Sequence, residues 1–194
     1  LAGTDVHNTV SINLDDQMTK ARKFLWLDWA QGKITDEHLM ENGLRNHLVA
    51  QHDGYQKFGI THERALSCDL SDYWVVTDNI LPSSYAVRKK ESVVRLHWLL
   101  PDYEWRWRGS ELVLQSPNGP FSLKISSAGL APNALQFMIV RAGEVLFGEG
   151  DIPEYWGWYS PTYGVKMPAL SVSALVRAEI PLTLVSEFTL PASE

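Results

Sequence analysis

Apolar and polar residues alternate along much of the chain. Val10, Ile12 and Leu14 flank Ser11 and Asn13, and Val94, Leu96, Trp98 and Leu100 flank Arg95 and His97. Tyr103, Trp105 and Trp107 alternate with Glu104, Arg106 and Arg108, and Phe121, Leu123 and Ile125 with Ser122, Lys124 and Ser126. A period of two sends successive side chains to opposite faces. These runs therefore predict antiparallel strands with one apolar face and one wet face, the polar residues lying on the wet side.

Turn residues punctuate the runs. Pro117-Asn118-Gly119-Pro120 is the clearest case, with Pro82-Ser83-Ser84, Arg108-Gly109-Ser110 and Ala142-Gly143-Glu144 beside it. Gly and Asn supply the positive φ that tight hairpins need. Short strands between regular turns predict an all-β fold, an antiparallel β-sandwich with little helix, filling residues 1–194 as one domain. One exception is expected: Thr35-Asp36-Glu37-His38 resembles a helix cap, predicting about two helical turns through Leu39, Met40 and Leu44. The Gly-, Pro- and aromatic-rich stretch 148–161 is expected to be a long structured loop.

Composition changes this picture little. The chain has 194 residues, 45% apolar and 21% charged. That suits a real hydrophobic core. The net charge of −6, without a Lys/Arg block, argues against nucleic acid or an anionic membrane as partner. No apolar run is long enough for a membrane-spanning helix. The single cysteine, Cys68, rules out an intrachain disulfide. Eight tryptophans are many for this length and suggest either core or a sugar-binding face. The chain starts at Leu1 without a leader pattern, as expected of a processed product or a fragment.

Familiar catalytic patterns are missing. The six histidines, His7, His38, His47, His52, His62 and His97, show no metal-ligand spacing. There is no GxSxG elbow, and acidic neighbours at Asp69 and Asp72 would raise the Cys68 thiol pKa. Gly148-Glu149-Gly150-Asp151 lacks the Lys of a phosphate loop. The adjacent pair Asp15-Asp16 points apart, whereas glycoside hydrolysis needs carboxyls facing each other across a sugar.

Four segments carry a stronger signal. They are Gly3-Thr4-Asp5-Val6-His7-Asn8-Thr9-Val10 followed by Asp16-Gln17; His52-Asp53-Gly54-Tyr55 followed by His62-Glu63-Arg64; Tyr73-Trp74-Val75-Val76-Thr77-Asp78-Asn79-Ile80-Leu81 followed by Arg95-Leu96-His97-Trp98-Leu99-Leu100-Pro101; and Gly157-Trp158-Tyr159-Ser160-Pro161-Thr162-Tyr163-Gly164 with Pro168, Pro181 and Pro191. In order and spacing they resemble the C-terminal part of heparinase II/III-like proteins. The stretch 33–47 is longer than that pattern expects and looks like an insertion.

The resemblance implies a β-sandwich that follows an N-terminal α/α toroid in a polysaccharide lyase. Such enzymes cleave uronate polymers by β-elimination, in which a positioned base removes a weakly acidic C–H and charge building on the carboxylate is stabilised. By the same resemblance the toroid supplies a Tyr and an Asn/His pair, and the sandwich a further His upstream of Leu1, so no catalytic residue is expected here. The family sandwich often binds Zn²⁺ through a His, an Asp and a second His. The second corresponds to His7; the other two would precede Leu1. The isolated chain is then not expected to bind zinc tightly. Asn8, Arg95 and His97 are candidates for orienting that imidazole or touching an acidic polysaccharide. His62 and Arg64 are expected to pair with acidic neighbours on a strand, and Tyr163 to pack in a fixed turn. The implied setting is periplasmic or extracellular. A competing reading is a non-catalytic structural or carbohydrate-binding module, with Trp105, Trp107, Trp156 and Trp158 as a stacking platform.

Overall fold

The computed structural model describes residues 1–23, 25–39, 45–68, 72–83 and 91–191. Its strands are, in chain order, β1 (Val10–Ile12), β2 (Thr19–Arg22), β3 (Leu25–Leu27), β4 (Gly32–Leu39), β5 (Arg45–His52), β6 (Ile60–Cys68), β7 (Tyr73–Pro82) and β8 (Glu91–Leu100). They continue with β9 (Trp105–Arg108), β10 (Glu111–Ser116), β11 (Gly119–Ala128), β12 (Gln136–Arg141), β13 (Glu144–Phe147), β14 (Trp158–Thr162), β15 (Val165–Pro168), β16 (Leu170–Glu179) and β17 (Leu182–Thr189). Among the described residues the only helices are three-residue 3₁₀ turns, such as Thr4–Val6. The expected class, an all-β antiparallel sandwich with little helix, is the one observed. The chain forms two compact units, each assembled from separate stretches.

The first unit comprises Leu1–Gln17, Ser92–Tyr103 and Asn133–Ala178. Its sheet has the order β1-β8-β16-β12-β13, and β14 and β15 form a separate hairpin. β1 is buried along its whole length, and the middle of β8 and the first half of β16 are buried on both faces. Here the wet-face expectation fails. Arg95 and His97 are 2% and 1% exposed, and Ser11, Ser171 and Ser173 are also buried. The reason is that other segments cover this polar row: the stretch before β1 bonds to Arg95 and His97, and the loop carrying Trp156 lies against Arg95. Leu14 fails the alternation too: it is 64% exposed, because Asn13 and Leu14 adopt positive φ and end β1 at Ile12.

Two turns in this unit fix the backbone on either side of Trp156. Ala142-Gly143 joins β12 to β13 between the paired Arg141 and Glu144, with φ of 51° and 83° at its two residues. That is the pattern of a two-residue primed hairpin. Gly157, at φ 76°, lies so close to this turn that a Cβ would sit 2.6 Å from the Ala142 nitrogen and 2.7 Å from the Val140 carbonyl oxygen. Backbone atoms cannot yield as a side chain can, so Gly157→Ala is expected to cost about 2 kcal/mol, read as a lower denaturation midpoint. The expected packing of Tyr163 is not observed: it is 99% exposed at the tip of the β14–β15 hairpin.

The second unit comprises Met18–Glu91, Glu104–Pro132 and Glu179–Glu194. Its main sheet runs β4-β5-β6-β7-β17-β11-β10-β9, with β2 and β3 as a small ribbon. Register fixes its faces. Trp107, Leu112, Leu123, Phe188 and Trp74 follow one another across five strands. On the opposite face Arg108, Glu111, Lys124 and Glu187 form a row of alternating charge, with Lys124 Nζ 3.1 Å from Glu187 Oε2. The helix expected from Thr35 is not formed: residues 32–39 are strand β4, paired with β5. Cross-strand pairing overrides the local cap signal. Met40 and Leu44 lie outside the described residues.

Candidate functional site

In the first unit, β8 holds the segment before β1 almost residue by residue. Arg95 Nη1 donates to the Asp5 carbonyl (2.9 Å), His97 Nδ1 donates to the His7 carbonyl (2.8 Å), and the Leu99 N–H donates to Asn8 Oδ1 (2.7 Å). The His97 N–H adds a bond to the Thr9 carbonyl at 3.1 Å. A carbonyl can only accept, so His97 carries its proton on Nδ1. Its Nε2 lone pair then accepts from the Ser171 hydroxyl at 2.8 Å. Both ring nitrogens of this buried imidazole are thus occupied. Burial, reinforced by the Arg95 charge, pushes the His97 pKa down to about 3. It is a neutral structural clamp with no lone pair left to act as a base.

His7 differs. Its backbone is clamped, while the residue itself is exposed. An imidazole on a fixed backbone facing solvent is suited to ligation. It is alone in this, since among the described residues no three His, Cys, Asp or Glu side chains converge as a metal shell. The described residues do not group around His7 as a zinc shell.

Arg95 lies under Trp156, its guanidinium carbon 3.9 Å from the ring centroid. Burial pushes the Arg95 pKa down to about 10, against the pull of Asp5 and then Tyr155. Trp156 Nε1 and the Tyr155 hydroxyl both donate to Asp5 Oδ2, each at 2.8 Å. Burial and then the Asp5 hydrogen bond raise the Tyr155 pKa to about 12, so it remains a donor. The structure therefore groups His7, Asn8, Arg95, His97 and Trp156. Asp5 and Tyr155 belong to the same cluster but lie outside the sequence-based candidates. Only their contacts reveal them.

The tryptophans expected to form a stacking platform are differently placed. Trp105 and Trp107 belong to the second unit, opposite the fully buried Leu114 and Leu112, and are half-buried on that apolar face. Trp156 has one face on Arg95, and Lys166 Nζ lies 3.9 Å from the Trp158 ring centroid. Elsewhere in the first unit, a hollow of about 700 Å³ is lined by residues including Leu99, Pro101, Tyr103, Tyr159 and Met167. Its one carboxylate, Asp102, is held bidentately by Arg141 at 2.6 Å. It offers no free acid or base.

A second polar cluster sits on the apolar face of the large sheet. Pairing places His52 opposite His62 and Arg64 opposite Asp78. The Gly54 N–H donates to His52 Nδ1 (3.2 Å), His52 Nε2 donates to His62 Nδ1 (2.9 Å), and His62 Nε2 donates to Asp78 Oδ1 (2.6 Å). The Gly54 bond fixes the tautomer of the whole chain of donors. Arg64 clamps Asp78 at 2.7 and 3.0 Å. Burial raises the Asp78 pKa, but His62 and Arg64 outweigh it and hold the carboxyl below its ordinary value. The expected pairing of His62 and Arg64 with an acidic neighbour is thus observed. The link to His52 goes beyond that expectation.

The profile for "Heparinase II/III-like, C-terminal" matches residues 1–185. This chain belongs to the heparinase II/III-like family. Among solved structures, this heparinase II/III-like chain is similar to heparinase III, the BT4657 gene product, with a TM-score of 0.67 at 17% identity over 96% of this chain and 24% of that one. It is also similar to the heparan sulfate lyase HepC mutant from Pedobacter heparinus, with a TM-score of 0.64 at 13% identity over 99% of this chain and 25% of the other. The chain thus spans about a quarter of the length of the proteins it resembles. No curated protein matches it.

Proposed function

We propose that this chain is the sandwich portion of an exported polysaccharide lyase that cleaves a uronate-containing polymer by β-elimination. It supports an N-terminal toroid that carries the catalytic groups. The family match over residues 1–185 carries this reading. In keeping with it, the described histidine clusters offer no poised base: His97 is clamped at both ring nitrogens, and His52 and His62 spend theirs on one another, Gly54 and Asp78. The clamped backbone and exposed side chain of His7 support its giving one ligand to a zinc ion completed outside this chain.

The test compares this chain with a longer protein that includes the preceding toroid, on alginate and heparan sulfate. Ultraviolet absorbance of the unsaturated uronate product is expected from the longer protein only. Product from this chain alone would refute the supporting role. In the longer protein His7→Ala is expected to lower bound zinc at least tenfold, read by metal analysis. Unchanged zinc would remove His7 from the shell.

A further inference from the structure

Arg95 keeps an unusual possession for a buried guanidinium: a whole unpartnered edge. Its Nη1 is used by the Asp5 carbonyl, but Nε and Nη2 are buried and meet no acceptor among the described residues. Those two N–H groups form the side-on fork that matches the two oxygens of a carboxylate. Ser11, directly opposite Arg95 in the β1–β8 register, is 3% exposed, and its hydroxyl also lacks a partner. Orphaned donors are costly when buried. Three polar groups without partners on one directly facing cross-strand pair call for an acceptor that the described residues do not supply.

We infer that Arg95 and Ser11 form a receptor for a single carboxylate, roofed by the Trp156 indole. The fork supplies two charge-assisted hydrogen bonds and the Ser11 hydroxyl a third. The roof is built to move as a side chain, not as a loop. The Trp156 backbone is pinned, because its carbonyl accepts from the Gly143 N–H (2.8 Å) and the next carbonyl, of Gly157, accepts from Ala142 and Ala169 (2.9 Å each). The indole itself is latched by one bond, Nε1 to Asp5 Oδ2. Rotating it breaks that bond and the stacking on Arg95 but leaves the Tyr155 latch intact. The entering carboxylate replaces the lost stacking with ionic hydrogen bonds. This goes beyond the lyase reading, since the receptor stands whether or not the parent protein is catalytic.

The experiment titrates this chain with acetate, glucuronate and glucose at constant ionic strength, following tryptophan emission. Acetate and glucuronate are expected to give a saturable change with a millimolar midpoint, and glucose none. A midpoint tenfold lower for glucuronate than for acetate would identify an acidic sugar as the source of the carboxylate. Equal midpoints would identify a carboxylate of any origin. The response is expected to vanish in Trp156→Phe and weaken at least tenfold in Arg95→Lys, which keeps the charge but loses the fork. Ser11→Ala, a smaller change, is expected to weaken it several-fold. No saturable response to either acid, or an undiminished one in Arg95→Lys, would overturn the proposal.

Discussion

Asp78→Ala is expected to lower folding stability by about 3–5 kcal/mol. The carboxylate is fully buried and accepts from His62 and, through both oxygens, from Arg64. Deleting it strands two donors on the apolar face of the large sheet, where Val76, Ile80 and Leu184 are buried beside them. Removing the carboxylate alone leaves a buried imidazole donor and a partly buried guanidinium without their counter-charge, which makes one-sided removal so damaging. Asp78→Asn keeps the volume and one acceptor for His62, so a smaller loss is expected. Urea denaturation would separate them: the midpoint should fall furthest for Ala, with an unchanged slope if the unfolded state is unaffected. A loss under about 1 kcal/mol for Asp78→Ala would mean that Arg64 reorients to water through its 25% exposed side chain.

How much of this fold is legible in residues alone depends on the range of the interaction. The strand runs are legible because alternation is local: Phe121, Leu123 and Ile125 do share a face, and Trp105 and Trp107 do face buried leucines. The hairpin turns at Gly109, Gly119 and Gly143 are legible for the same reason, each glycine adopting positive φ. What alternation cannot tell is whether a polar face is wet. Arg95 and His97 look like surface residues until segments 90 residues earlier and about 60 later cover them. The Thr35 signal fails in the opposite direction, because a cap-like tetrapeptide lies within a strand whose pairing with β5 supplies the backbone bonds a helix would otherwise provide. His52, His62, Arg64 and Asp78 are separated by up to 26 residues, and only sheet register brings them to one spot. The signal for them is the shared parity of His62 and Arg64 with Asp78 across β6 and β7. That signal can be read only once the register is known.

The same network predicts a stability that declines on acidification well before ordinary carboxylates titrate. Burial, followed by the neighbouring His62, pushes the His52 pKa down from 6.5 to about 4. Above pH 6.5 His52 is neutral in both states and contributes no pH dependence. Between pH 6.5 and 4 the unfolded chain binds a proton that the folded chain refuses, so stability falls as pH falls. The full penalty is reached below pH 4. The shift corresponds to about 3 kcal/mol, or about 2 once screening at the partly open side of His52 is allowed for. Asp78 adds a second loss at lower pH, because its carboxyl is depressed in the fold: its stabilisation is complete above the unfolded value and disappears as pH drops through the folded one. Geometry explains why His52 resists the proton. Charging it requires Nδ1–H, which would face the Gly54 N–H donor and break that bond. Urea midpoints measured from pH 7.5 to 4 should therefore slope downward below pH 6.5. His52→Gln, which cannot titrate, should make that part of the curve shallower, leaving the share of buried His97, whose pKa is pushed down to about 3, and the loss from Asp78 at lower pH in place. If the slope persists in full in His52→Gln, the acid sensitivity belongs to another group and the Gly54 bond does not govern the protonation of the network.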